Sequence, residues 1–119
     1  MKHNFRELKV WQEAIALAKE VYLVSAHFPV SEKFGLISQV NRAAVSIPSN
    51  IAEGSGRGTN KDFSNFLSIA LGSAYELETQ LVLAKEFGYM SEANLGFLVE
   101  KLTSIEKKIS NLQNRLRES

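Results

Sequence analysis

Between Leu95 and Leu116, the residues Leu95, Leu98, Leu102, Ile105, Ile109, Leu112 and Leu116 follow one another at alternating spacings of three and four. That spacing lays all of them on one stripe of an α-helix, the seam of coiled-coil-like packing, and such a seam must lie along another helix. Phe63, Phe66, Leu67, Ala70, Ala74, Leu77, Leu81 and Ala84 repeat the pattern upstream. The alanines among them allow a neighbouring helix to approach closely. Strand-like alternation bounded by turn residues is absent, so the chain reads as helical throughout.

Local punctuation divides it into four helices. The first follows Asn4, an N-cap with Glu7 three residues on, and ends at Phe28-Pro29, because the residue before proline is pushed out of the helical region. The second runs from near Ser31 to Glu53 and stops in the glycine-rich stretch Gly54-Ser-Gly-Arg-Gly58. Pro48 lies in its interior, where it removes a hydrogen bond and clashes with the Ala44 carbonyl, so a kink is expected. Thr59, with Asp62 after it, caps a third helix ending near Gly88, and Ser91 caps the fourth. Short connections favour antiparallel neighbours, hence an all-α, up-down-up-down four-helix bundle with residues 1–119 as one domain. Composition agrees: 45% hydrophobic and 23% charged residues exclude disorder, and the lack of cysteine excludes a disulfide scaffold. No long uncharged apolar run suggests a membrane span and no secretory signal opens the chain, so a cytoplasmic location with no membrane partner is expected.

The first helix is too apolar for a bundle core alone. Leu8, Trp11, Ile15, Ala18 and Tyr22 form one stripe, and Val10, Ala14, Leu17, Val21, Val24 and Phe28 form an adjacent one. Together they span roughly 200°, against the 100° or so that one core contact needs. The surplus calls for self-association, with Val10, Leu17, Val21 and Val24 expected at the interface between copies.

Residues that carry chemistry are few. His3 and His27 are the only imidazoles, and neither follows a glutamate by three positions as a di-iron bundle requires. Without cysteine or a His-Glu-x-x-His helix, neither a metal nor any other cofactor is expected. Ser46 and Ser49 have no histidine or lysine nearby in sequence, so no activated nucleophile marks the chain as an enzyme. The glycine-rich stretch lacks the Lys-Ser/Thr ending of a nucleotide-binding loop and reads as an interhelical turn, in which Arg57 is placed to touch a phosphate. Arg42 and Glu53 share a helix face but stand roughly 16 Å apart along the axis, so each must find a partner elsewhere. Arg42, Asn50, Glu53, Glu76 and Gln80 are expected to build a polar layer between the second and third helices, fixing register at some cost in stability.

Fourteen Lys and Arg against thirteen Asp and Glu leave a net charge of +1, which excludes a surface basic all over. Any contact with nucleic acid must be local. Lys101, Lys108 and Arg115 recur every seven residues and so lie within roughly 40° of one another, a basic stripe beside the leucine seam. Repeated around the axis of an oligomer, the potential of such a stripe adds.

Several runs are also specific in order and spacing: Leu8-Lys-Val-Trp-Gln12, Phe28-Pro29 before Gly35-Leu36 and Gln39, Arg42-Ala-Ala-Val-Ser-Ile-Pro-Ser-Asn-Ile-Ala-Glu-Gly54, and Phe66-Leu-Ser-Ile-Ala-Leu-Gly-Ser-Ala-Tyr-Glu-Leu-Glu-Thr-Gln80. Over nearly the whole chain they resemble the bacterial four-helix-bundle family of 23S rRNA-intervening-sequence proteins. The chain is similar, too, to the accessory variability determinant proteins of diversity-generating retroelements. The resemblance implies a homopentameric, barrel-like assembly with a basic surface that binds RNA or DNA, and in the retroelement branch a reverse transcriptase partner. The expected function is thus a non-enzymatic, nucleic-acid-binding oligomer using Lys101, Lys108, Arg115 and Arg57; the alternative is a scaffolding oligomer without nucleic acid.

The seam makes the first test a simple one. Ile105→Asp forces an unpaired charge among leucines and should cost at least about 4 kcal/mol, a large share of the stability of a bundle of this size. Circular dichroism checks it: a variant that kept full helicity and its melting temperature would place the fourth helix elsewhere.

Overall fold

The computed structural model describes residues 3–118. Its long elements are α1 (Lys9–Ser25), α2 (Leu36–Ser55), α3 (Asn60–Glu86) and α4 (Glu92–Arg117). Each packs on its two neighbours in the cyclic order α1, α2, α3, α4, while the diagonal pairs do not meet. One end of the bundle is tied by the Tyr89 hydroxyl of the α3–α4 connection, which donates to Glu32 of the α1–α2 connection at 2.9 Å. At the other end Asn60 donates to the Leu116 carbonyl and the His3 amide donates to Ser55. Adjacent connections therefore sit at alternating ends, and the bundle is up-down-up-down as the short loops predict.

The leucine seam packs as its spacing requires. Leu98, Leu102, Ile105, Ile109, Leu112 and Leu116 are buried against Phe63, Leu67, Ala70, Ala74, Leu77, Leu81 and Ala84 of α3 and the inner faces of α1 and α2, in one core. Burying each such aliphatic side chain stabilises the fold by about 1.5–3 kcal/mol. Phe66 is only half-buried, at the edge of this core.

Helix ends follow the side chains that satisfy orphan amides. Thr59 Oγ1 accepts from the Asp62 amide at 3.1 Å, and Ser91 Oγ from Asn94 at 3.0 Å. Gly88, with φ of 81°, closes α3: the Tyr89 amide donates to Ala84 and the Gly88 amide to Lys85, the paired bonds of a Schellman motif. Two starts differ from the sequence reading. Asn4 caps a short 3-10 turn, Phe5–Glu7, and α1 begins only at Lys9, linked to that turn by the Gln12 side-chain Nε2, which donates to the Arg6 carbonyl at 2.8 Å. The second helix begins at Leu36 and not near Ser31, because the Glu32 carboxylate accepts from the Leu36 amide at 3.0 Å and so acts as the cap. A Cβ on Gly35 would lie 2.6 Å from that carboxylate oxygen. The same amide, then the Tyr89 hydroxyl, hold the Glu32 carboxyl below the ordinary range. α2 continues unbroken through Pro48 to Ser55, so Gly54 belongs to its last turn.

The first helix corrects the expected interface. Val10, Leu17 and Val21 are 5%, 1% and 0% exposed within a single chain, and Val24 is partly buried against the core. The residues assigned to a contact between copies are thus the ones that close the bundle. The stripe left outside is Ile15 and Tyr22, with Leu23 beside it. Two adjacent stripes of similar hydrophobicity leave the rotation of a helix open, and packing of all four helices decides it.

α2 and α3 form the most extensive pair. A Cβ on Gly54 would meet the Phe66 Cβ at 2.7 Å and the Phe63 carbonyl at 3.3 Å, which are atoms that move only with the helix. Gly54→Val is therefore expected to cost at least about 2 kcal/mol by pushing the helices apart. Gly72, also helical but with nothing within 4 Å of its would-be Cβ, supplies the control. Gly72→Ala should gain up to about 1 kcal/mol. Denaturant melts of the two variants check the pair, and equal stabilities would contradict the close approach.

Candidate nucleic-acid interface and the neighbouring clefts

The basic stripe lies along the groove between α1 and α4. Lys108 and Arg115 line one stretch of it with Leu8, Lys9 and Asn111, and Lys101 lines the next with Glu13, Ala16 and Ser104. The heptad spacing puts these groups beside the seam, and α1 adds Lys9, a contributor that spacing within α4 does not reveal. The stripe is partly neutralised. Lys108 donates to the Glu13 carboxylate of α1, and the Lys101 ammonium lies 5.0 Å from the centre of the Phe97 ring. Such half-exposed contacts contribute only about 0–1 kcal/mol each, which leaves the cations open to exchange for a phosphate. Arg57 is not in this groove: it sits in the turn after α2, bound to Glu53 at 3.0 Å and stacked 4.6 Å from the Phe66 ring centre.

The polar layer expected between α2 and α3 is an open cleft. Arg42, Glu76 and Gln80 line it with Gln39, Ala43 and Ser46 around a volume of about 360 Å³. Asn50 lies one turn on and donates to the Ser46 carbonyl and hydroxyl at 2.8 and 2.9 Å, while Ser46 and Ser73 hydroxyls meet at 2.8 Å across the helix pair. Glu53 is lost to the layer because Arg57, four residues later, reaches it on the exposed face. Arg42 finds no such partner: among the described residues neither it nor Glu76 forms an ion pair. Gln80 is 9% exposed, and its side-chain oxygen is buried with no hydrogen bond.

A third groove, between α3 and α4, was not anticipated from the sequence. Tyr75, Glu78, Thr79, Val82, Leu83, Thr103 and Glu106 line it. One Glu106 carboxylate oxygen is buried without a partner, and burial, then the nearby Glu78 charge, pushes that carboxyl above the ordinary range. The only signal in the sequence is a pair of glutamates next to seam positions, which does not by itself say that they converge. Of the imidazoles, His27 is exposed beyond α1 and the His3 ring packs 5.0 Å from that of Phe63. Among the described residues no three His, Asp or Glu gather as metal ligands would, and no helix is long and apolar enough to cross a membrane.

Residues 6–111 match the family model described as 23S rRNA-intervening sequence protein. The fold is similar to the crystal structure of a protein of unknown function from the S23 ribosomal protein family of Bacteroides thetaiotaomicron VPI-5482, at a TM-score of 0.82 and 25% identity, covering 88% of this chain and 95% of that one. Among curated proteins none matches. The match spans most of the chain, which therefore belongs to the 23S rRNA-intervening sequence protein family, as the runs around Arg42–Gly54 and Phe66–Gln80 lead one to expect.

Glu106 generates a prediction with a definite sign. A carboxyl raised on folding binds its proton more tightly in the native state, so it favours the fold at low pH and weakens it as pH rises through the ordinary carboxylate range and beyond. Glu106→Gln should accordingly raise the melting temperature at neutral pH, and the gain should vanish below about pH 4, where glutamate is protonated even when unfolded. Thermal melts across that range check it; no gain at neutral pH would contradict the unpartnered carboxylate.

Proposed function

We propose that this member of the 23S rRNA-intervening sequence protein family is a non-enzymatic, cytoplasmic, homo-oligomeric protein, pentameric in its working form, that binds nucleic acid through the α1–α4 groove. One observation carries the reading: Lys9, Lys108 and Arg115 converge on one stretch of that groove, and Lys101 continues the line along α4. Three or four phosphate contacts per chain bind weakly alone, but several copies around an axis gain avidity and a steep salt dependence. Self-association is supported by the apolar residues Ile15, Tyr22 and Leu23, which remain exposed on α1. The family's name makes RNA the first ligand to test. A scaffolding oligomer without nucleic acid is the second reading, favoured by the pairing of Lys108 with Glu13 and of Arg57 with Glu53.

Changing Lys101, Lys108 and Arg115 together to Gln should leave folding and assembly intact, since all three lie outside the leucine seam, while removing most RNA retention. Wild-type affinity should fall with a slope of about −0.7 to −0.9 per phosphate contact in log–log salt plots. Light scattering at micromolar concentration should report more than one subunit, and Ile15→Ser with Tyr22→Ser should reduce it to one. If wild-type protein retains neither structured RNA nor single-stranded DNA at about 50 mM salt, where such contacts are strongest, the scaffolding reading replaces this one.

A further inference from the structure

We propose that the outer stripe of α1 docks into the α3–α4 groove of a second copy of this chain, with Lys19 of one copy meeting Glu78 of the next. The contact presupposes the self-association proposed above and gives it two different faces. These match in length and in chemistry. Ile15, Tyr22 and Leu23 on α1, and Tyr75, Val82 and Leu83 on α3, are each between 40% and 56% exposed. Both sets span eight residue steps, about 12 Å of helix. Large apolar side chains gathered in this way and left half in water mark a contact between proteins.

The charges at the centre of the two faces are opposite. Lys19 is exposed midway along the α1 stripe, while Glu20 is set about 100° further round, on the side from which Glu13 reaches α4. The groove holds Glu78 midway between Tyr75 and Val82, with Glu106 of α4 beside it and no cation in its lining. Among the described residues Lys19, Glu78 and Glu106 form no ion pair. One Glu106 oxygen is shut off from solvent, so this residue deepens the negative potential while Glu78 makes the contact. Two carboxylates repel a phosphate, so nucleic acid is not the occupant. α1 and α3 lie on a diagonal and do not meet, so a chain cannot cover its own groove. Because the two faces differ, the contact runs head to tail, the kind that closes into rings. Rotation about an axis along the bundle preserves helix direction, and in an up-down-up-down bundle α1 and α3 point the same way. α1 of one copy therefore runs parallel to α3 of the next. The equal spans then align Ile15 with Tyr75, Lys19 with Thr79 beside Glu78, and Leu23 with Leu83.

The test is light scattering of the full chain at micromolar concentration in the absence of nucleic acid. Lys19→Glu and Glu78→Lys each set like charges against one another across the contact. Each should weaken association at least about tenfold, with helicity by circular dichroism unchanged. The chain carrying both exchanges regains an opposite pair and should associate as the wild type does. The chain has no cysteine, so single cysteines report which faces meet. A short bis-maleimide should join Leu23→Cys to Leu83→Cys in a mixture of the two variants, and neither variant to itself. Linked dimers from Leu23→Cys alone show α1 meeting α1 and overturn the proposal, as does association untouched by both charge reversals; either result leaves self-association standing. A wild-type chain that stays a single subunit removes both. Failure to retain RNA, with the charge-exchange pattern intact, removes the nucleic-acid reading and supports this contact.

Discussion

The close approach of α2 to α3 at Gly54 is the constraint from which the rest of the bundle follows. With no side chain there, the Phe66 Cβ comes nearer than any Cβ would allow and the Phe63 carbonyl nearer than most Cβ atoms tolerate, and the two helices pack extensively. Small residues continue the contact, with Ala43, Ala44, Ala70 and Ala74 buried and the Ser46 and Ser73 hydroxyls joined across it. Once the α2-facing side of α3 is set, its leucines point at α4. Gln113 of α4 then locks that second pair, donating to the Ser64 carbonyl and the Ser68 hydroxyl.

A nearly neutral chain becomes, in three dimensions, a set of seams with different electrostatic character. The α1–α4 groove collects lysines and an arginine with Glu13, which bridges to Lys108, and Glu100. The α3–α4 groove collects Glu78 and Glu106 beside apolar residues, at a cost visible in the raised Glu106 carboxyl. The α2–α3 cleft holds one charge of each sign and a buried, unsatisfied amide. Net charge averages these away, which is why +1 says so little about what each face binds.

The connections confine this variety to the sides of the bundle. At one end the Glu32 carboxylate caps α2 and accepts from Tyr89, whose ring packs on Phe28 and Phe87 beyond the Schellman turn. One carboxylate thus joins the α1–α2 and α3–α4 connections, and its lowered proton affinity follows from being held by two donors. Val30 and Phe34, in the α1–α2 connection, remain almost fully exposed at this end.

The helical class, the four segments, the caps at Thr59 and Ser91 and the seam from Leu98 to Leu116 were legible in the sequence, because periodicity and capping are local and depend on residues a few positions apart. The runs that identify the family were legible for the same reason. The start of α2 was not, since its cap comes from Glu32 folding forward over Gly35, a conformation that propensity does not encode. Nor was the rotation of α1. Its two apolar stripes are equivalent until the other helices choose Val10, Leu17 and Val21 for the core and leave Ile15 and Tyr22 outside. Of the expected polar layer the sequence supplied the members, but only the tertiary structure decided that Glu53 turns to Arg57 and that Arg42, Glu76 and Gln80 face an open cleft. Partner choice among polar side chains depends on which atoms come within hydrogen-bond reach after packing, and that distance is not a property of spacing along the chain.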